Sequence, residues 1–247
     1  MKNISNQLCL KNRSHTSNKR QKYAFFSLLF LLIFVCPSTF SSITTIQNDD
    51  YLSWDMNRCK EIIKATWGKG KVGAGQGLIH TERAQSYKLR ATWLTPEVIR
   101  ASARMLQIGN RLTDEATRTL IAEAEATGDT TVIVDIDPRE GSGVIPNDWQ
   151  AFLQAKDEKK IPGNAVSGLS TNKLRDVKVI ANAVVRDYDY DRFYVIFPLK
   201  NEKGEPVFSN STQEAELVVR IYNKEGKVTW KIPDSIRKRI LSLTKKD

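Results

Sequence analysis

The chain has 247 residues, of which 38 are basic and 28 acidic, for a net charge of +10, and 40% are hydrophobic. That apolar content supports a buried core and excludes a disordered chain, and the length suits one domain behind a flexible preface. Six of the basic residues and none of the acidic ones fall within positions 1–41, so the remainder carries only +4, an ordinary surface that gives no reason to expect nucleic acid as a partner.

Residues 23–36, YAFFSLLFLLIFVC, form an uncharged apolar run behind Lys2, Lys11, Arg13, Lys19, Arg20 and Lys22. Small residues follow Pro37, with Thr39 and Ser41 two apart. A basic leader, a short apolar core and a small-residue exit are the parts of a secretory signal peptide. The core is shorter than the roughly 20 residues a membrane span needs. The expected protein is exported, periplasmic or secreted, and cut near residues 39–42. Retention of the segment as an anchor, or acylation at Cys36 after cleavage before it, would hold the domain at a membrane. The chain divides into 1–41, signal peptide or anchor; 42–80, N-terminal helix and glycine-rich linker; and 81–247, an α+β domain.

Cleavage leaves Cys59 as the one cysteine and His80 as the one histidine. An internal disulfide is then excluded, and Cys59 is expected as a buried apolar position. A zinc site of the usual type needs three or four His or Cys ligands, more than this pair supplies. No GxSxG stretch accompanies His80, which is expected in a solvated loop. No cofactor is expected.

In chain order, Leu52, Met56, Cys59, Ile62, Ile63 and Trp67 recur at gaps of three and four, the spacing of an amphipathic helix over residues 50–67. Gly68, Gly70 and Gly73 spell GxGxxG, but a helix rather than a strand precedes them and further glycines follow. A flexible linker is expected, not a dinucleotide site. Lys69 and Lys71 stand where they would touch an anionic surface, though two lysines alone define no site.

Residues 86–95 alternate, with Tyr87, Leu89, Ala91 and Trp93 on one face and Lys88, Arg90 and Thr92 on the other, as in a half-buried strand. Thr95 and Pro96 open a helix that ends near Gly109–Asn110, and Thr113 opens a second through Ala126. Residues 130–136, TTVIVDI, form a β-branched strand, so this stretch reads as strand, helix, helix, strand. Asn147 to Trp149 is expected to begin a short helix carrying Phe152 and Leu153. Residues 156–175 are expected as a surface loop. Residues 174–185 alternate Val177, Val179, Ala181, Ala183 and Val185 and are expected as a strand. Residues 193–199 form an apolar central strand, with residues 206–208 as the return of its hairpin. Residues 216–232 form a second hairpin, turned at residues 223–226 with Gly226 in a left-handed position, followed by a terminal helix. That last strand–turn–strand–helix, residues 216–243, resembles the carboxy-terminal module of TonB-type envelope proteins, over those residues only and with no function implied. The fold expected is α+β, a single domain with a mostly antiparallel sheet.

Two acidic loops carry the candidate chemistry. Asp135, Asp137 and Glu140 follow one strand, and paired carboxylates act as acid and base in hydrolases and lyases. Asp187, Asp189 and Asp191 alternate with tyrosines and share a face if extended, an arrangement for calcium unless Arg186 and Arg192 answer them. The first expectation is a non-enzymatic binding domain, with an envelope protein or surface polymer as partner. A carboxylate-based hydrolase or lyase and a calcium-stabilised structural module are the alternatives.

Overall fold

The computed structural model describes residues 49–73, 86–128, 130–139, 143–156 and 165–244. The leader, His80, Glu140 and residues 157–164 of the expected surface loop lie outside the described residues; the rest of that loop, to residue 175, instead holds two short strands and a 3-10 turn. Among the described residues, no helix is long and apolar enough to cross a membrane.

The protein is α+β, as expected, with five α-helices and every strand pairing antiparallel among the described residues. The strands are β1 (Trp67–Val72), β2 (Tyr87–Leu94), β3 (Thr130–Asp137), β4 (Gln150–Ala155), β5 (Val166–Ser167), β6 (Leu169–Ser170), β7 (Asp191–Phe197), β8 (Glu214–Ile221) and β9 (Lys224–Lys231). The helices are α1 (Met56–Ala65), α2 (Pro96–Asn110), α3 (Asp114–Glu125), α4 (Lys178–Ala181) and α5 (Asp234–Thr244). Instead of one sheet there are two, ordered β1-β2-β3-β7-β6 and β5-β4-β8-β9. They are tied at both ends. The run through β5 and β6 bonds first to β4 and then, past Gly168, to β7. At the other end a bridge joins Gly73, just past β1, to Glu225 of β9.

The main core fills the space between the sheets. Period two puts Leu89 and Trp93 of β2, Val132, Val134 and Ile136 of β3, and Leu217 and Val219 of β8 on the inner faces. Ile236 and Ile240 of α5 join the same cluster. A second core lies on the outer face of the five-stranded sheet. There Leu94, Ile133 and Tyr194 pack under Val98, Ile99 and Ala103 of α2 and Val179 and Ile180 of α4. β3 is buried along its whole length: Val132, Val134 and Ile136 face the main core, Ile133 lies under the helices, and Asp135 and Asp137 are covered by Arg192 and Arg139. Ser102, on the inward stripe of α2, donates to the carbonyl of Val179 at 2.6 Å and so satisfies its buried hydroxyl. Thr95 and Thr113 cap α2 and α3 as expected, accepting from the backbone N–H of Val98 and Ala116.

Five local expectations are corrected. The glycine run is not a linker through Val72: residues 67–72 are edge strand β1, and Trp67 has left the helix. Its glycines admit a close crossing, because a Cβ on Gly68 would overlap Val228 Cγ1 of β9 and one on Gly70 would overlap the carbonyl oxygen of Lys227. Residues 150–155 form strand β4, not a helix, since pairing to β8 buries Ala151, Leu153 and Ala155 between the sheets. Residues 174–185 hold a 3-10 turn and the short α4 instead of a strand. Leu174, Val179, Ile180 and Ala183 face α2 and α3, and Val185 is exposed. Residues 206–208 make only one bridge, Pro206 to Lys200, while Val207 and Phe208 fill the main core. The last hairpin turns two residues earlier than expected, at Tyr222 (φ 55°) and Asn223, and Gly226 lies within β9 against Val72.

Candidate functional site: a basic cleft on the outer face of the five-stranded sheet

The helices cover only part of the outer face of the five-stranded sheet. The rest is charged, and strand register orders the charges. Lys69, Arg90, Asp135 and Arg192 stand directly opposite one another across β1, β2, β3 and β7. The neighbouring row is Lys71, Lys88 and Asp137. Side chains directly opposite on antiparallel strands share a face and sit within reach of each other.

The acids of β3 are locked. Arg192 grips Asp135 through both oxygens, Nε to Oδ1 at 2.7 Å and Nη2 to Oδ2 at 2.9 Å. The same guanidinium donates to the carbonyls of Val184 and Val185, which fixes the start of the segment leading into β7. Asp137 has no exposed surface; Arg139 donates to it from Nε at 2.9 Å, from Nη2 at 2.8 Å and from its backbone N–H at 3.0 Å. These bonds from Arg139 hold the Asp137 carboxyl below its ordinary range, against the opposing effect of burial.

Arginines also join the two acidic loops. Arg139 reaches Asp189 with Nη1 at 3.1 Å, and Arg90 reaches Asp187 with Nη1 at 2.8 Å. The guanidinium of Arg90 lies 3.9 Å from the centre of the Tyr190 ring, a stacked cation–π contact. The backbone N–H of Asp189, and then Arg90, hold the Asp187 carboxyl below its ordinary range. Between the loops and β1 lies a cleft of about 340 Å³, lined by Lys69, Lys88, Arg90, Arg139, Asp187 and Tyr190 among others.

The structure therefore places the expected residues as follows. Asp135 and Asp137 share the outer face of β3, each in an arginine fork, and Glu140 lies outside the described residues. Asp187 and Asp189 point to different arginines, and Asp191 is exposed at the start of β7. Arg192 answers Asp135 rather than the second acidic loop, and Arg186 stacks on exposed Tyr188. Among the described residues, no group of three or more His, Cys, Asp or Glu side chains converges to hold a metal ion. Cys59 is buried on α1, and burial pushes its thiol up.

Lys88, Arg90, Arg139 and Tyr190 were not singled out from the sequence as site residues. The alternation of β2 already put Lys88 and Arg90 on its polar face. What it did not supply was the neighbour, since β1 and the loop before β7 meet β2 only in the fold.

Guanidinium forks hold both carboxylates through both oxygens, so Asp135 and Asp137 each already have a structural partner. The arrangement is suited to holding anions: guanidinium forks, ammonium groups and an aromatic ring around a concave surface. Comparison with protein-family models, with curated proteins and with solved structures returns no match.

Proposed function

We propose that this is a non-enzymatic binding domain of an exported protein, and that the basic cleft beside β1 and β2 is its recognition surface. The observation that carries this reading is the pair of arginine forks on Asp135 and Asp137. Asp135 and Asp137 are committed to guanidinium partners, while Lys69 lines the cleft with no ion pair among the described residues. The basic leader and short apolar run of residues 1–41 support an envelope or extracellular setting, where an envelope protein or surface polymer is the partner.

The test is crosslinking in the native cell. A photo-reactive residue replaces Tyr188, which is 87% exposed and precedes the Asp189 that lines the cleft. The expected result is a discrete crosslinked species that is absent when the same residue stands at exposed Lys238 on α5. Smears of equal intensity at both positions would overturn the assignment of the surface.

A further inference from the structure

The β1–β2 half of the charged face has an unusual balance. Lys69 stands opposite Arg90, and Lys71 stands opposite Lys88, so two like-charged pairs lie side by side on one face. Like charges directly opposite on neighbouring strands destabilise a sheet. The acids within reach are committed elsewhere: Asp135 to Arg192, Asp137 and Asp189 to Arg139, and Asp187 to Arg90. Lys88 lies opposite Asp137 and helps lower its pKa. Lys69 only overlies the ring of Trp67, at 4.7 Å, and Lys71 is exposed; neither has an ion pair among the described residues.

The glycines beside them give this placement a reason in the fold. Gly68 and Gly70 turn their bare faces to β9, where no side chain fits, so Lys69 and Lys71 must point the other way, out over β2. The crossing with β9 thus fixes the backbone beneath both lysines.

The geometry points to a phosphomonoester as the ligand of this cleft. The inference rests on the binding reading above and names its chemistry. Lys69 lines the cleft, and Lys71, outside that lining, stands opposite Lys88, which is part of it; the two surplus charges match one doubly charged phosphate group, where a carboxylate would neutralise only one. Among the described residues the Arg90 side chain makes one hydrogen bond, from Nη1 to Asp187, which leaves further N–H groups for the planar, multiple contacts that phosphate oxygens accept. Lys88 and Arg139 complete the basic wall. The cleft, about 340 Å³, exceeds what a bare phosphate needs and leaves room for an organic group beside Tyr190.

Calorimetric titration of the full-length chain, in micelles of an uncharged detergent, tests this with phenyl phosphate, inorganic phosphate and benzoate. Phenyl phosphate is expected to bind saturably, at least tenfold tighter than benzoate. Affinity should fall as pH drops through about 6, where phosphate monoesters lose their second charge. The double substitution Lys69→Ala with Lys71→Ala is expected to weaken binding at least tenfold, and Lys238→Ala to leave it unchanged. Tighter binding of phenyl phosphate than of inorganic phosphate assigns an organic monoester; equal binding assigns the free ion. Absence of saturable binding by the unsubstituted protein, equal affinity for benzoate, or no pH dependence between 5 and 8 would overturn the proposal, and these three need no variant to fold. If phosphate binding fails while crosslinking at Tyr188 still recovers a partner, the binding reading stands and the ligand assignment falls. Release of phenol from phenyl phosphate, abolished by the lysine substitutions, would overturn the non-enzymatic reading and keep the site.

Discussion

Asp135 and Arg192 face each other across β3 and β7, with only 10% and 4% of their side chains exposed, and the guanidinium that grips the carboxylate also holds the carbonyls of Val184 and Val185. One buried pair thus couples the central strand to the loop that closes the cleft. Its worth lies less in net stability than in the cost of halving it, because a lone buried charge has no solvent to fall back on.

Arg192→Ala should therefore destabilise the protein by about 3–5 kcal/mol, while Asp135→Leu combined with Arg192→Leu should recover most of that loss. Urea denaturation midpoints compare the three proteins. A double variant as unstable as the single one would mean that the two carbonyl bonds, not the ion pair, are what Arg192 contributes.

Acid stability should depend on Asp137. Its folded carboxyl titrates below the ordinary value of 3.8, so the pairing with Arg139 stabilises the fold above that value and is lost as pH falls through the lower, folded one. Arg139→Gln should be less stable than the unsubstituted protein at neutral pH, and the gap should narrow below about pH 4. Denaturation midpoints at pH 7 and at about pH 2.5 measure it; an equal gap at both would remove this carboxylate from the account.

The strand crossing makes a sharper mutational contrast. Gly70→Ala forces a methyl group against the backbone carbonyl of Lys227 and should cost about 1–3 kcal/mol. Gly73→Ala meets nothing within 4 Å and should change stability by less than about 0.5 kcal/mol. Thermal melts of the two variants rank them. Equal losses would show that conformational freedom, not close approach, is why glycine stands at both positions.

Calcium should leave the melting midpoint where a chelator leaves it, since Asp187 and Asp189 are turned toward separate arginines. A rise in midpoint with calcium that disappears in Asp189→Asn would show that the ion can displace Arg139.

Local pattern alone was enough for β2, α2, α3, most of β3 and the inward faces of β8 and β9, though not for the turn between them. There the apolar period, the capping threonines and the β-branched run all act within a few residues of one another. It did not place Asp135 and Asp137, expected in a loop following the strand; both lie within β3, on its outer face. Where the pattern failed, distant partners decided. Residues 150–155 carry Phe152 and Leu153 at a spacing that suits either element, and pairing with β8 makes them a strand. Residues 174–185 alternate like a strand, but Leu174, Val179, Ile180 and Ala183 gain more from packing against α2 and α3 as a short helix. The glycines of β1 signal freedom when read alone; in the fold they signal contact, because β9 leaves no room for a side chain there. The cleft followed the same rule. Lys69, Arg90, Asp135 and Arg192 are far apart along the chain and become neighbours only through strand register, and the fork of Arg192 on Asp135 exists only once that register is set, whereas Arg139 reaches Asp137 from two residues away.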